Sequence, residues 1–115
     1  MFKASVRNPN FHGVQDVSPE ELKLQLANVV LIDVRQPDEY TGELGHIENT
    51  KLIPLSTLPD QIDSLDQDQT IVFICRSGNR SAQASAFALE SGFSKVYNLA
   101  GGMLRWNQLQ FAIVK

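Results

Sequence analysis

The stretch Ile71-Val72-Phe73-Ile74-Cys75-Arg76-Ser77-Gly78-Asn79-Arg80 decides how this chain folds. Its first four residues are apolar without alternation and include three β-branched side chains. Such a run predicts a strand covered on both faces, the situation of a parallel sheet. The next segment, Ser81 to Ser91, is rich in Ala and reads as a helix, with Gly92 placed to end it. The order is therefore strand, tight turn, helix, with a thiol at the mouth of the turn.

The same order repeats on either side. Upstream, Val29 to Val34 is a second apolar strand. Before it, Ser18-Pro19-Glu20-Glu21 is a helix start: Ser18 caps, Pro19 suits the first position and Glu21 closes a capping box. Leu22, Leu26 and Val29 follow at helical spacing, so the helix runs from Pro19 to about Ala27. Between the two main strands, Lys51 to Leu55 reads as a short strand and Leu58 to Leu65 as a helix. Downstream, Lys95 to Leu99 is a last strand, Gly101-Gly102 a turn and Met103 to Leu109 a short helix. This alternation defines an α/β domain with helices on both faces of a mostly parallel central sheet. Residues 14–115 form that domain. Residues 1–13 carry little periodicity and are expected to be a loosely held N-terminal extension.

Composition narrows the function. The 115 residues suit one domain, and 43% hydrophobic with 20% charged residues is a globular balance. The net charge of -3 lacks the basic excess of a nucleic-acid binder. No apolar stretch approaches the roughly 18 residues of a membrane span, and the first residues contain no signal-like apolar region. The single Cys excludes an internal disulfide and a multi-Cys zinc site. A cytoplasmic protein is expected, with neither nucleic acid nor membrane as partner.

Ligands of open α/β sheets bind beyond the carboxyl ends of the strands. That points to the residues after Val34 and after Ile74. The first N–H groups of a helix lack intrahelical partners and attract anions. Gly78 lets the loop curl and aim such groups at one point. Arg76 and Arg80 add positive charge, and no Asp or Glu lies between Thr70 and Leu89. A thiolate at Cys75 is stabilised by these features, and the thiolate is the nucleophilic form. A lone Cys on a core strand is ordinarily a small buried hydrophobe. The strand-end position, the Gly, the two Arg and the helix together favour catalysis instead.

Cys75-Arg76-Ser77-Gly78-Asn79-Arg80-Ser81 resembles the active-site loop of single-domain rhodaneses, which are sulfurtransferases. Leu31-Ile32-Asp33-Val34-Arg35, Glu39-Tyr40 and Gly45-His46-Ile47 resemble the family's first signature. Gly92-Phe93, Val96, Asn98-Leu99, Gly101-Gly102 and Trp106 resemble its C-terminal pattern. Thr50 stands where the family often has Ala. The likeness covers about residues 14 to 110 and implies a rhodanese-like three-layer domain. It implies a persulfide cycle in which Cys75 takes the outer sulfur of a small anionic donor such as thiosulfate. A thiol, a protein sulfur acceptor or cyanide then removes that sulfur. Arg76 and Arg80 would hold the donor, within a loop of Ser77, Gly78 and Asn79. No metal or organic cofactor is implied.

Other residues have plainer readings. Asp33 and Arg35 could line the site, but a structural role is favoured, with Arg35 expected to pair with Glu39 and Asp33 to bond the backbone of neighbouring loops. His46 could act as a base for Cys75, but a structural role is favoured. His12 has no assigned role, and Trp106 is core. Two other functions compete with sulfur transfer. One is a cysteine-dependent phosphatase or arsenate reductase on a related scaffold. Phosphatase loops place five residues between Cys and Arg, whereas four separate Cys75 from Arg80. The other is a non-catalytic rhodanese-like binding module, which usually lacks the Cys.

Overall fold

The computed structural model describes residues 2–115. Among the described residues six strands form one sheet: β1 (Val6–Arg7), β2 (Gln15–Val17), β3 (Val30–Asp33), β4 (Lys51–Leu52), β5 (Ile71–Ile74) and β6 (Val96–Leu99). Their order across the sheet is β1-β2-β6-β5-β3-β4. β1 is antiparallel to β2, and every other pairing is parallel. The helices are α1 (Pro19–Gln25), α2 (Pro37–Tyr40), α3 (Leu58–Gln61), α4 (Asn79–Glu90) and α5 (Gly102–Gln108).

The two apolar runs lie side by side at the centre, with Leu31 beside Val72 and Ile32 beside Phe73. Successive residues point to opposite faces. Ile32, Ile71 and Phe73 therefore pack with Leu58, Ala84 and Ala88 of α3 and α4. Leu31, Val72 and Ile74 pack with Leu22, Met103 and Trp106 of α1 and α5. Both faces are covered, giving the three layers expected. Each large apolar side chain fully buried this way contributes about 1.5–3 kcal/mol.

Away from the cysteine loop, the elements depart from the sequence reading in four places. Lys51 to Leu55 keeps strand pairing only at Lys51–Leu52; the Ile53 and Leu55 N–H groups still donate to the Asp33 and Val34 carbonyls at 2.9 and 3.0 Å, but the chain enters a 3-10 turn at Leu55. The helix expected over Leu58 to Leu65 is two short pieces, α3 and a 3-10 turn at Ile62–Ser64, preceded by the 3-10 turn at Leu55–Thr57. Leu58 and Ile62 are nevertheless buried as their spacing predicted. Ser18 caps α1 by accepting from the Glu21 N–H at 3.1 Å. Glu21 does not close a box, because its carboxylate accepts from the Ala4 N–H at 3.0 Å.

The fourth difference is the N-terminal segment, expected to be loosely held. Met1 lies outside the described residues. Phe2 is buried in the α1/α5 layer and meets Tyr97 edge-on, with ring centroids 4.9 Å apart. Val6–Arg7 pairs with Gln15–Asp16, adding two strands that no periodicity announced. A two-residue and a three-residue strand are too short to display alternation. No helix among the described residues is long and apolar enough to cross a membrane.

Candidate active site

β5 ends at Ile74, and the chain turns at Cys75 into α4. Gly78 is the N-cap of α4 at φ 106°, a left-handed conformation that a side chain would strain. That conformation lets α4 start at Asn79, two residues before the Ser81 expected from composition. Cys75 is buried, and its Sγ accepts from the Gly78 N–H at 3.1 Å. Ser81 Oγ lies 3.2 Å from the same sulfur.

The outer side of the loop is held by α5. Its Met103 N–H donates to the Cys75 carbonyl and its Leu104 N–H to the Arg76 carbonyl, both at 2.9 Å. The approach is close enough that a Cβ on Gly102 would lie 2.4 Å from the Cys75 carbonyl oxygen. Gly102 thus does more than turn the chain. It lets the end of one element seat against the cysteine loop.

The candidate residues differ in their surroundings. Arg76, Ser77 and Asn79 are exposed, Gly78 is buried, and Arg80 is half-buried. Arg76 lines an open cleft of about 240 Å³ together with Arg35, Glu39 and Leu44. Ser77, Gly78 and Asn79 line a second, polar cleft on the β2 side, with Asn8, Asp16 and Asn98. Arg80 is not free. Its two terminal nitrogens donate to the two oxygens of Glu39 at 2.7 and 2.8 Å. The local absence of acidic residues around the loop is therefore offset from α2, 41 residues away. The Arg80 hydrogen bonds hold the Glu39 carboxyl well below the usual carboxylate range, at about 2, and the same contact raises the Arg80 pKa.

Arg35 does not pair with the Glu39 carboxylate as expected. Its guanidinium lies on Asp33, with Nε to Oδ1 at 2.9 Å and an outer nitrogen to Oδ2 at 2.8 Å. It also donates to the backbone carbonyls of Glu39 and Gly45. Both side chains are buried, so the pair braces the segment that carries Glu39. His46 has its Nδ1 2.8 Å from the Tyr40 carbonyl and stacks on the Tyr40 ring. Its contacts are those of a structural residue. The Thr50 hydroxyl donates to the Ile47 carbonyl. Among the described residues, no group of His, Cys, Asp and Glu is placed to hold a metal ion.

Sequence reasoning missed Glu39 as the partner of Arg80, and it missed Ser81, Asn98 and Asp16 behind the thiol. Ser81 is the last residue of the loop motif, and its place on the first turn of α4 was the one available signal for a contact with the sulfur. The others come from distant segments.

The fold and this loop define a class. The chain belongs to the rhodanese-like domain family, whose model matches residues 18–109. A sulfurtransferase of Allochromatium vinosum is 34% identical over 104 residues, covering 88% of this chain and 95% of that one. The thiosulfate sulfurtransferase GlpE of Pseudomonas paraeruginosa is 34% identical over 96 residues, covering 83% and 86%. Among solved structures, a rhodanese-related protein from Thermoplasma volcanium superimposes with a TM-score of 0.79 at 29% identity, covering 86% of this chain and 96% of that one. Relatives of this kind place the chain among the sulfurtransferases.

Proposed function

We propose that this protein moves a sulfane sulfur from a small anionic donor such as thiosulfate to a thiol or cyanide, through a persulfide on Cys75, in the cytoplasm. The Cys75 thiolate attacks the outer sulfur of thiosulfate. A new S–S bond forms at Sγ, the old one breaks, and its electron pair leaves on sulfite. An acceptor thiolate or cyanide then attacks the outer sulfur, and the Cys75 thiolate departs. One hard transfer becomes two easier ones. Neither step calls for a metal or an organic cofactor.

The observation that carries this reading is Cys75 Sγ at a strand end, 3.1 Å from the Gly78 N–H, with the exposed Arg76 on the loop beside it. Arg76 attracts the donor and offsets charge on departing sulfite. Arg80, committed to Glu39, holds the loop. Ser77, Gly78 and Asn79 supply the curve of backbone that surrounds the transferred sulfur. The likeness to relatives such as the thiosulfate sulfurtransferase GlpE supports thiosulfate as the donor.

The test is turnover. Thiosulfate and cyanide should yield thiocyanate with the parent protein and none with Cys75→Ser. p-Nitrophenyl phosphate should be a poor substrate, because a four-residue ring is tight for a phosphoryl group. Comparable turnover of the aryl phosphate would overturn the sulfurtransferase reading in favour of a phosphatase.

A further inference from the structure

Behind the sulfur runs a line of polar side chains from three elements. Ser81 of α4 and Asn98 of β6 are buried, and Asp16 of β2 is half-buried. Asn98 Nδ2 donates to Asp16 Oδ1 at 2.9 Å. Asn8 Nδ2 donates to both Asp16 oxygens, at 3.0 and 3.2 Å, and fixes that carboxylate in place. Ser81 Oγ sits within hydrogen-bond distance of both Asn98 Oδ1 and Cys75 Sγ.

The directions follow from the carboxylate end. A carboxylate only accepts, so the amide nitrogen of Asn98 must face Asp16. Its carbonyl oxygen then faces Ser81, and that oxygen also only accepts. The single hydroxyl proton of Ser81 has two claimants, Asn98 Oδ1 and the sulfur. The oxygen is the stronger acceptor, and leaving it unmet in a buried site is costly. Ser81 therefore meets Cys75 with a lone pair.

We propose that Asp16, Asn98 and Ser81 are positioning residues, a hydrogen-bond chain whose donors all run toward Asp16 and whose last acceptor, Ser81 Oγ, receives the S–H of resting Cys75. The thiol hydrogen points back into the chain, and the sulfur's lone pairs face the Gly78 N–H and the loop mouth. Ionising Cys75 removes the S–H from Ser81 Oγ and gains no donor there while the Ser81 proton stays on Asn98 Oδ1, so the chain opposes the thiolate. The chain thus ties the reactivity of Cys75 to a carboxylate on β2, in the N-terminal part of the fold. Bonds in such a line polarise one another in the same sense. The functional meaning rests on Cys75 being the sulfur-carrying residue of the proposed cycle.

The test is the pH dependence of iodoacetamide alkylation at Cys75. It needs no sulfur donor, so it reads the chain even if the protein transfers no sulfur. Ser81→Ala removes the acceptor of the S–H, and Asn98→Leu frees the Ser81 proton for the sulfur. Each should lower the alkylation midpoint by about half a pH unit or more, the size of one neutral hydrogen bond. Asp16→Asn should lower it less, and should add nothing in the Ser81→Ala background. Ser81→Ala and Asn98→Leu change no charge and Asp16→Asn removes only its own, so Arg76, Arg80 with Glu39, and the Asp33–Arg35 pair stay in place around the loop. A raised midpoint in Ser81→Ala would mean that Ser81 donates to the thiolate, and would overturn the proposal. So would an unchanged midpoint in Asn98→Leu, or an Asp16→Asn shift that persists undiminished without Ser81, which would mark a through-space charge effect. Because Ser81→Ala and Asn98→Leu break the chain at different points, either one decides if the other fails to fold. Circular dichroism of each variant establishes that it is folded.

Discussion

Arg76 and Arg80 carry equal charge in unequal settings. Arg80 makes a two-pronged contact with Glu39 that a lysine cannot reproduce. Arg80→Lys should lower kcat with thiosulfate by about tenfold or more, a loss of the order of one charged hydrogen bond. Arg76→Lys keeps the charge at an exposed position and should change kcat by less than about threefold, a fraction of that energy. Equal small losses in both would mean that only net charge matters. Glu39→Gln should resemble Arg80→Lys. The sign of its pH dependence follows from the depressed carboxyl. Its folded value, about 2, lies below its ordinary 4.5, so the pair's contribution is full above 4.5 and fades as pH falls toward 2. Urea unfolding of parent and Glu39→Gln should therefore differ at pH 6 and converge at the acid end of that window. Gly102→Ala adds a Cβ against the Cys75 carbonyl at a φ of 56°, and should cost about 1–3 kcal/mol along with most activity. The cysteine loop was legible because it is contiguous: strand end, Gly and helix start lie within a few residues. The partners of Arg80 and Ser81 were not, because Glu39 and Asn98 are separated from them by 41 and 17 residues. No local pattern encodes such a contact.

At the scale of elements, the long apolar strands announced themselves and the short ones did not. β3 and β5 are central and covered on both sides, so β5 is apolar throughout and β3 is apolar up to its last residue, Asp33, which Arg35 meets. β2 holds one fully buried residue, Val17, and two half-buried polar ones. Gln15-Asp16-Val17 looks like a loop, yet it pairs in parallel with β6 and carries the carboxylate that Asn98 reaches. Helix ends were read through their caps, and where a cap partner was taken elsewhere the reading failed. Glu21 serves Ala4 instead of its own helix, which ties the N-terminal segment to α1. Two substitutions measure these contributions. Ser18→Ala removes the oxygen that accepts the Glu21 N–H and should cost about 1 kcal/mol. Phe2→Ala empties a buried aromatic site and should cost about 3 kcal/mol by urea unfolding. A value near zero for Phe2→Ala would mean that the N-terminal segment is an extension without a structural role.

For the whole molecule, one mostly parallel sheet brings three separate segments to a single sulfur. β5 delivers Cys75, α4 begins beside it with Gly78 and Ser81, and α5 grips the loop from outside through Gly102. Arg80 closes the arrangement onto α2. A protein with a net charge of -3 does not attract an anion as a body, so the local charge of Arg76 must draw the donor. The central claim is that Cys75 becomes a sulfur carrier, and intact-mass spectrometry tests it most directly. Reduced protein incubated with thiosulfate should gain the mass of one sulfur atom, lose it on adding dithiothreitol, and gain nothing as Cys75→Ser. An unchanged mass in the parent, or a sulfur adduct that survives in Cys75→Ser, would contradict the account.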